Sequence, residues 1–547
     1  MEKHSDSGVG FDLTLNIYTM SHTFMTGSHH RAIVEILTDD ILLEVFDWYR
    51  QTLLEQWTNT SKWVTLVHVC RRWRHIVFGS PCRLDLWLPC TYGTPVRKRL
   101  DCWPSSLPIF IKYWANLEFR PPSSEDEDDL IAALEHPDRV RKIQLAATSS
   151  QLEKVAERMQ MAFTGLTSLS LWLAKGTTPT LPKTFLAVCS SPRLRDISLV
   201  GVPLPGLPQL LASTIDLVSL RLLEVPDDGY ISPDVMATCL STLPHLRSLC
   251  IDFHSPLSTH HNRGGHRRLA PPTTRDSLPS LTSFNFRGTS EYLEDLVAKI
   301  DAPFLSEVNI SFFNQLIFDV PHLSRFIHHM EVLKSAKVSE VESSPGNGVS
   351  ITMTLDSDQD RDQDQDQGQD QSQLVVAAGG NATPSCSLEH HSLTLRVTCT
   401  DLDWQISSIA QICHQTSLLS NIKHIDIRAD NIRLSRKEGE DDNDMKDSVP
   451  WLEFFNTFLS VLSLRICGEL GPYIAPALEG TVVDMETIRK MLPELGTLLF
   501  ECSRKSASVD RFDAARQLFS RPVIVRHAVL PWASNDTYMQ DKVSVSA

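Results

Sequence analysis

Leu194–Ile251 reads LRDISLVGVPLPGLPQLLASTIDLVSLRLLEVPDDGYISPDVMATCLSTLPHLRSLCI. One phrase stands in it three times, with Leu-x-x-Leu-x-Leu spacing: Leu194-Ile197-Leu199, Leu217-Leu220-Leu222 and Leu246-Leu249-Ile251. The last two apolar residues of each phrase are two apart, so they share one face of a short strand, and the residues alternating with them take the other face. Pro233–Leu243, between two phrases, has helical spacing. A strand followed by a helix, repeated, predicts an α/β fold in which a right-handed solenoid carries a parallel sheet.

Outward from this stretch the phrase recurs as Val140-Ile143-Leu145, Leu166-Leu169-Leu171, Leu281-Phe284-Phe286, Leu305-Val308-Ile310 and Ile422-Ile425-Ile427. Weaker copies are Leu459-Leu462-Leu464 and Leu495-Leu498-Phe500. Further helical stretches are Gln151–Ala162 and Tyr292–Ile300. A lone copy would carry no weight, because Leu-rich chains produce the spacing by chance. Seven copies between Val140 and Ile310, at irregular intervals of 23 to 35 residues, are a repeat. The residues alternating with the inward positions are Ser198, Arg221, Cys250, Asn285, Asn309 and Asp426, with Trp172 between Leu171 and Leu173. They are the candidate target-binding face, since repeat arrays commonly bind on such a surface. For any one of them a solvated sheet position is the simpler reading. Trp172 stands apart, because an exposed Trp suits a partner.

A second pattern precedes the repeat. Leu37–Leu88 reads LTDDILLEVFDWYRQTLLEQWTNTSKWVTLVHVCRRWRHIVFGSPCRLDLWL. Asp39 and Asp40 suit a helix N-terminus ahead of Ile41, Leu42, Val45 and Phe46, which fall on one helical stripe. Trp63, Leu66, Val67, Cys70, Trp73 and Val77 recur at the spacing of a second helix, ended by Gly79-Ser80-Pro81. Arg71, Arg72 and Arg74 are read as lying near the C-terminus of that helix, where cations are favoured. About fifty residues in two or three short helices bury little core of their own. The segment is therefore a cap on the rest of the chain or a docking module for another protein.

The segment resembles an F-box, through Leu37, Asp40–Phe46 and Leu66–Arg74, the last containing VCRRWR. It departs from the family in having Thr38 after Leu37, where Pro is usual, and in a long connection from Asp47 to Lys62. The resemblance implies binding to the Skp-type adaptor of SCF (cullin–RING) ubiquitin ligases. It implies an adaptor face drawn from Leu37, Ile41, Leu42, Val45, Phe46, Leu66, Val69, Cys70 and Trp73, part of which must pack internally. The stretches LPQLLAS, GYISPDVMATCLSTLPHLRSL, SLPSLTSFNFRG, EYLEDLVAKIDAP and FFNQLIFDVPHL resemble the C-terminal region of a large mushroom-type fungal F-box family. That likeness implies a helical adaptor-binding bundle followed by an irregular leucine-rich-repeat-like solenoid. The function implied is a non-catalytic substrate receptor, with the adaptor, a cullin and a protein target as partners. The alternative is an F-box-like interaction scaffold without a ligase.

On this reading residues 1–31 are disordered and 32–88 form the F-box-like helical domain. Residues 89–342 are solenoid, 343–385 a disordered Asp/Gln-rich insertion, 386–533 further solenoid with a polar insertion near 436–449, and 534–547 a tail. Asp356–Gln373 holds seven Asp and seven Gln and has no apolar side chain. Ser255–Asp276 reads as a surface loop.

The chain has 547 residues, 42% of them hydrophobic, and a net charge of −16, which argues against nucleic acid or anionic lipid as the main partner. Much of the acid is concentrated in Glu125–Asp129, the Asp/Gln tract and Glu438–Asp447. No apolar run is long enough to span a bilayer, and the first residues do not read as a secretory signal. The expected compartment is cytoplasm or nucleus. The twelve Cys form no CxxC pair and read as free thiols. No P-loop, nucleophile elbow or HExxH occurs, and the His pairs lack Cys at ligand spacing. Cys82, Cys90 and Cys102 with His75 match no zinc knuckle. No cofactor, metal or catalytic site is expected; a hydrolase ranks third, for want of a nucleophile motif.

Overall fold

The computed structural model describes residues 37–54, 63–90, 95–114, 124–174, 178–179, 181–182, 193–203, 205–254, 275–313, 318, 320–328, 330, 338–344, 348–354, 392–397, 402–416, 421–429, 449–467, 474, 477–478, 491–501 and 524–527. The expectations for residues 1–31, the Asp/Gln tract and 534–547 lie outside these, as do nearly all of the 255–276 loop and the 436–449 insertion. The chain divides into two compact units, the first ending at Leu86 and the second beginning at Trp87.

The first unit holds helices α1 (Asp39–Leu54), α2 (Val64–Val69) and α3 (Arg71–Gly79). Thr38 Oγ1 accepts from Ile41 N at 3.5 Å, so Thr38 serves as a helix cap. The single helix expected across Trp63–Val77 is two. Cys70 is extended (φ −156°, ψ 171°), and its Sγ accepts from Trp73 N at 3.5 Å, opening α3. Arg72 and Arg74 therefore stand in the first turn of α3, opposite to their expected end. Their partners explain why this is tolerated. Arg72 reaches Asp39 Oδ1 at 2.7 Å and the Leu37 carbonyl, at the start of α1. Arg74 Nε donates to the Val67 carbonyl at 2.9 Å, at the C-terminal end of α2, where a cation is favoured.

The second unit is mixed α/β, with a large, mostly parallel sheet. In chain order it begins β1 (Leu88–Pro89), α4 (Val96–Cys102), β2 (Ile109–Trp114), α5 (Ser124–Leu134), β3 (Val140–Ala147), α6 (Ser149–Arg158), β4 (Ser168–Leu173) and β5 (Asp196–Val200). It continues α7 (Leu207–Ser213), β6 (Ser219–Val225), α8 (Pro233–Ser241), β7 (Ser248–Phe253), β8 (Asp276–Ser277), β9 (Ser283–Gly288), α9 (Ser290–Val297), β10 (Ile300–Asp301), β11 (Glu307–Phe312) and α10 (Pro321–Ile327). Then come β12 (Val338–Ser344), β13 (Gly348–Thr354), β14 (Ser392–Val397), α11 (Leu402–Thr416), β15 (His424–Ala429), α12 (Val449–Phe455), β16 (Ser463–Cys467), β17 (Thr497–Glu501) and β18 (Ile524–His527).

Sixteen described strands form one sheet, ordered β1 to β7, β9, β11, β14, β13, β12 and β15 to β18. Each pairing is parallel except the two made by β13. The inward positions stack in register: Ile143, Leu169, Ile197, Leu220, Leu249, Phe284 and Val308 form one row, each essentially inaccessible to solvent. One residue before the strands a second ladder runs. Thr167 N bonds the Arg141 carbonyl, Arg195 N the Thr167 carbonyl, Val218 N the Arg195 carbonyl and Arg247 N the Val218 carbonyl. These bonds carry the register of one repeat into the next. The other face alternates with the core and is half-buried or exposed, as in β7 and β11.

Three expectations are corrected. β13 lies inside 343–385, read above as disordered; Ile351 and Met353 on it are buried. The weak copy Leu459-Leu462-Leu464 is two residues out of register. Leu464 and Ile466 pair with Leu498 and Phe500, so the repeat is Val461-Leu464-Ile466, and Leu459 and Leu462 are exposed. The alternation of Leu84, Leu86 and Leu88 in the sequence predicts a strand, but Leu84 and Leu86 lie before β1.

Buried polar groups tie successive helices. The Glu294 carboxylate accepts from His322 N at 2.9 Å and Leu323 N at 2.7 Å, capping α10 from α9. Glu294→Ala should cost about 3 kcal/mol, because two charge-assisted bonds to a buried group are lost. Faster amide exchange at His322 and Leu323, with Glu294→Gln intermediate, is the expected signature; unchanged exchange would contradict it. Gln151 Nε2 donates to the Tyr113 hydroxyl at 2.8 Å and to Glu127 at 3.2 Å, joining α6 to β2 and α5. The acidic run Glu125–Asp129 is the start of α5, where negative charge is favoured. Asp129 there accepts from Val96 N at 3.0 Å.

Candidate protein-binding surfaces

In the first unit, Leu42, Phe46, Leu66, Val67, Ile76 and Val77 are buried. The Phe46 and Trp73 rings meet edge to face at 4.7 Å, and Trp73 is half-buried. Phe46 is 1% exposed, so it is a core residue; the same holds for Leu42 and Leu66. The apolar residues left outside are Ile41 (48% exposed), Val45 (45%) and Trp48 (69%), and on α2 Val69 (58%). Ile41, Val45 and Trp48 fall at i, i+4 and i+7, so they share one face of α1. Trp48 escaped the sequence reading, although its spacing from Ile41 was the available signal. Leu37 is half-buried and Cys70 exposed.

This face is framed by charge. Arg83 pairs with Glu44 and, at 3.8 Å, with Asp40; Arg50 pairs with Asp47 at 3.0 Å and Asp85 at 3.5 Å. Pairs this accessible to solvent add little stability. The pairs of Arg83 and Asp85 hold the segment after α3 against α1.

In the second unit the outward residues stand in single file. Ser170, Ser198, Arg221, Cys250, Asn285 and Asn309 are opposite one another from β4 to β11. The row crosses β14, β13 and β12 by Thr394, Thr352 and Glu340 and reaches Asp426 and Arg465. Asn309 is exposed and the other predicted members half-buried. Trp172 lies one register position further, in the row Trp114, Ala146, Trp172 and Val200. It is half-buried because its ring packs against Trp114, at 5.3 Å between centroids. Trp114 is 45% exposed and is the member of this surface that sequence reasoning missed.

No protein-family model matches the chain, and no curated protein matches it.

Burial pushes the Cys250 thiol up to about 11, against the opposing pull of Arg221. Burial raises the Asp252 carboxyl, against Arg287 at 3.8 Å. A groove of about 430 Å³ lies between α7 and α8, lined by Pro208, Ala212, Val235, Thr238, Cys239 and others. Asp234 and Cys239 are its ionisable groups; Asp234 is paired with Lys299 and burial raises the Cys239 thiol. Neither is set up as a nucleophile with a base. Among the described residues no group of three or more His, Cys, Asp or Glu is placed to hold a metal ion, and no helix is long and apolar enough to cross a membrane.

The thiols divide by burial. Desolvation pushes Cys90 and Cys413 up to about 12, whereas Cys70, Cys82 and Cys102 are exposed. Native maleimide labelling at neutral pH, mapped by mass spectrometry, should modify those three quickly and Cys90, Cys239 and Cys413 only after denaturation. Fast labelling of Cys90 or Cys413 in the folded chain would contradict the packing.

Proposed function

We propose that the chain is a non-catalytic substrate receptor of an SCF-type ubiquitin ligase. The first unit binds the Skp-type adaptor, and through it a cullin. The second unit, read as a leucine-rich-repeat-like solenoid, holds a protein target on its open sheet face. The observation that carries this reading is the stripe Ile41, Val45 and Trp48 on α1, exposed on a unit whose interior is already filled by Leu42, Phe46 and Trp63. Such a stripe on a small helical unit suits a partner's groove. The VCRRWR phrase supports it through the roles of its residues: Cys70 breaks the chain, Arg72 and Arg74 tie α3 to α1 and α2, and Trp73 covers Phe46.

The receptor's contribution to rate is tethering. A target held on one unit and transfer machinery on the other meet at high effective concentration, without a catalytic group on this chain. The test is co-purification of the full chain with recombinant adaptor and cullin. Capture of both supports a ligase receptor. Capture of the adaptor without cullin supports a scaffold outside any ligase, and capture of neither overturns the reading.

A further inference from the structure

We propose that the β2–β5 end of the open sheet face binds an uncharged glycan carried by a target protein. Two indoles supply a surface for the apolar faces of sugar rings. Trp114 ends β2 and is 45% exposed, and Trp172 on β4 is half-buried. Their rings meet at 75°, with 5.3 Å between centroids. Ala146 of β3 lies between them in register, and Val200 of β5 continues the row. Both are buried, so the floor beside the indoles is low and closed. The C–H groups on the face of a sugar ring carry partial positive charge and are drawn to the electron-rich face of an indole.

A row of hydrogen-bonding side chains runs alongside. Gln144, Ser170 and Ser198 are opposite one another on β3, β4 and β5, each two residues before a member of the indole row. Two residues along a strand span about 7 Å, so a ring lying on Trp172 brings its hydroxyls to Ser170 and its neighbours. All three are half-buried, and among the described residues their side chains have no hydrogen-bond partner. A hydroxyl or an amide both donates and accepts, which complements a sugar hydroxyl. Further along the same face several polar neighbours bond each other instead: Ser283 with Glu307 at 2.8 Å, Thr352 with Thr394 at 3.2 Å and His424 with Ser463 at 2.7 Å. Ser219 and Ser248 are also unbonded among the described residues, but their neighbours in register are Asp196 and Ser283, not indoles.

The patch itself is nearly free of charge. Across β3, β4 and β5 the two rows hold no charged side chain, and Lys112 at the β2 corner is the one charge in them. In the next row Lys142 and Asp196 oppose each other: burial raises the Asp196 carboxyl and Lys142 draws it down. On β6, Arg221 is accompanied by exposed Glu224. Neither a strongly ionic peptide nor a phosphate backbone meets an opposite field here. The anchor of an uncharged peptide is held best in an enclosed pocket, whereas the indoles stand beside the closed floor of Ala146 and Val200. The inference names a target class for the sheet face proposed above and rests on that reading. Its test uses no adaptor, so the two fail separately.

The test is a glycan array probed with the labelled full chain, carrying neutral glucan, mannan and chitin oligosaccharides beside sialylated and sulfated ones. Calorimetric titration of the best neutral oligosaccharide follows. Neutral glycans should bind, with an affinity little changed by added salt. Trp114→Ala should weaken binding about tenfold or more, with thermal unfolding unshifted, since the side chain is nearly half exposed. Ser170→Ala with Ser198→Ala should weaken it about fivefold or more and leaves the indoles in place. A protein bearing the bound glycan should be captured by the full chain and lost after enzymatic deglycosylation. The proposal is overturned if no neutral glycan binds, if the sialylated or sulfated ones are preferred, if neither variant changes the binding, or if capture survives deglycosylation. Tighter binding of an uncharged peptide than of any glycan, lost in Trp114→Ala, would overturn it in favour of a protein segment.

Discussion

Phe46→Ala should unfold the first unit while leaving the second intact. Phe46 is 1% exposed, and its ring is 4.7 Å from that of Trp73. Deleting a buried phenyl ring from a packed core costs about 3–5 kcal/mol. A unit of three short helices has about that much stability in total. The expected result is loss of amide protection across α1, α2 and α3, with protection of the sheet from β3 to β11 unchanged, because the chain divides at Leu86/Trp87. Protection retained in α1–α3 would mean that the Phe46 site collapses around the cavity and is not central to this core. A loss of adaptor binding in this variant would report unfolding. The aromatic pair Phe46 and Trp73 is thus unsuited to testing the interface, despite its prominence in the sequence.

Ile41→Lys with Val45→Lys should leave the fold intact and abolish adaptor capture. Both residues are nearly half exposed, so neither substitution opens a cavity. Burying a Val or Ile side chain against a partner is worth about 1.5–3 kcal/mol, and a lysine there must instead be desolvated without a counter-charge. Affinity should fall at least about a hundredfold, or about 3 kcal/mol. The helical signal and the amide protection of α1 should match the unsubstituted chain. Trp48→Ala should act in the same direction, since its side chain is the most exposed of the stripe. Unchanged capture by the folded Ile41/Val45 variant would remove α1 from the interface.

The two surfaces differed in how far they could be read beforehand. The repeat was legible because its inward residues are spaced by two and its outward ones are mostly polar, as in Leu249-Cys250-Ile251 and Phe284-Asn285-Phe286. Where outward positions are also apolar, the alternation vanishes. β2 went unread for that reason, with Phe110 and Trp114 outward beside buried Ile111 and Tyr113. The same ambiguity shifted the β16 phrase, since exposed Leu459 and Leu462 imitate the spacing that belongs to Val461 and Leu464. β13 is masked in the sequence by the Asp/Gln tract that follows it, whose polar composition hides the short alternation of buried Ile351 and Met353. In the first unit the spacing of Trp63 to Val77 suits one continuous helix, and nothing local marks Cys70 as extended. The break is set by packing: Trp73 turns onto Phe46, and Arg72 onto Asp39. Burial likewise divided the stripe Ile41, Leu42, Val45 and Phe46 into an inner pair and an outer pair, a division that periodicity alone leaves open.

The most direct measurement is a calorimetric titration of purified Skp-type adaptor into the full chain and into the Ile41→Lys/Val45→Lys variant. The account predicts saturable binding with a negative heat-capacity change, the mark of apolar burial, and no measurable heat of binding for the folded variant. Absence of binding to the unsubstituted chain, or equal binding to both, would contradict it.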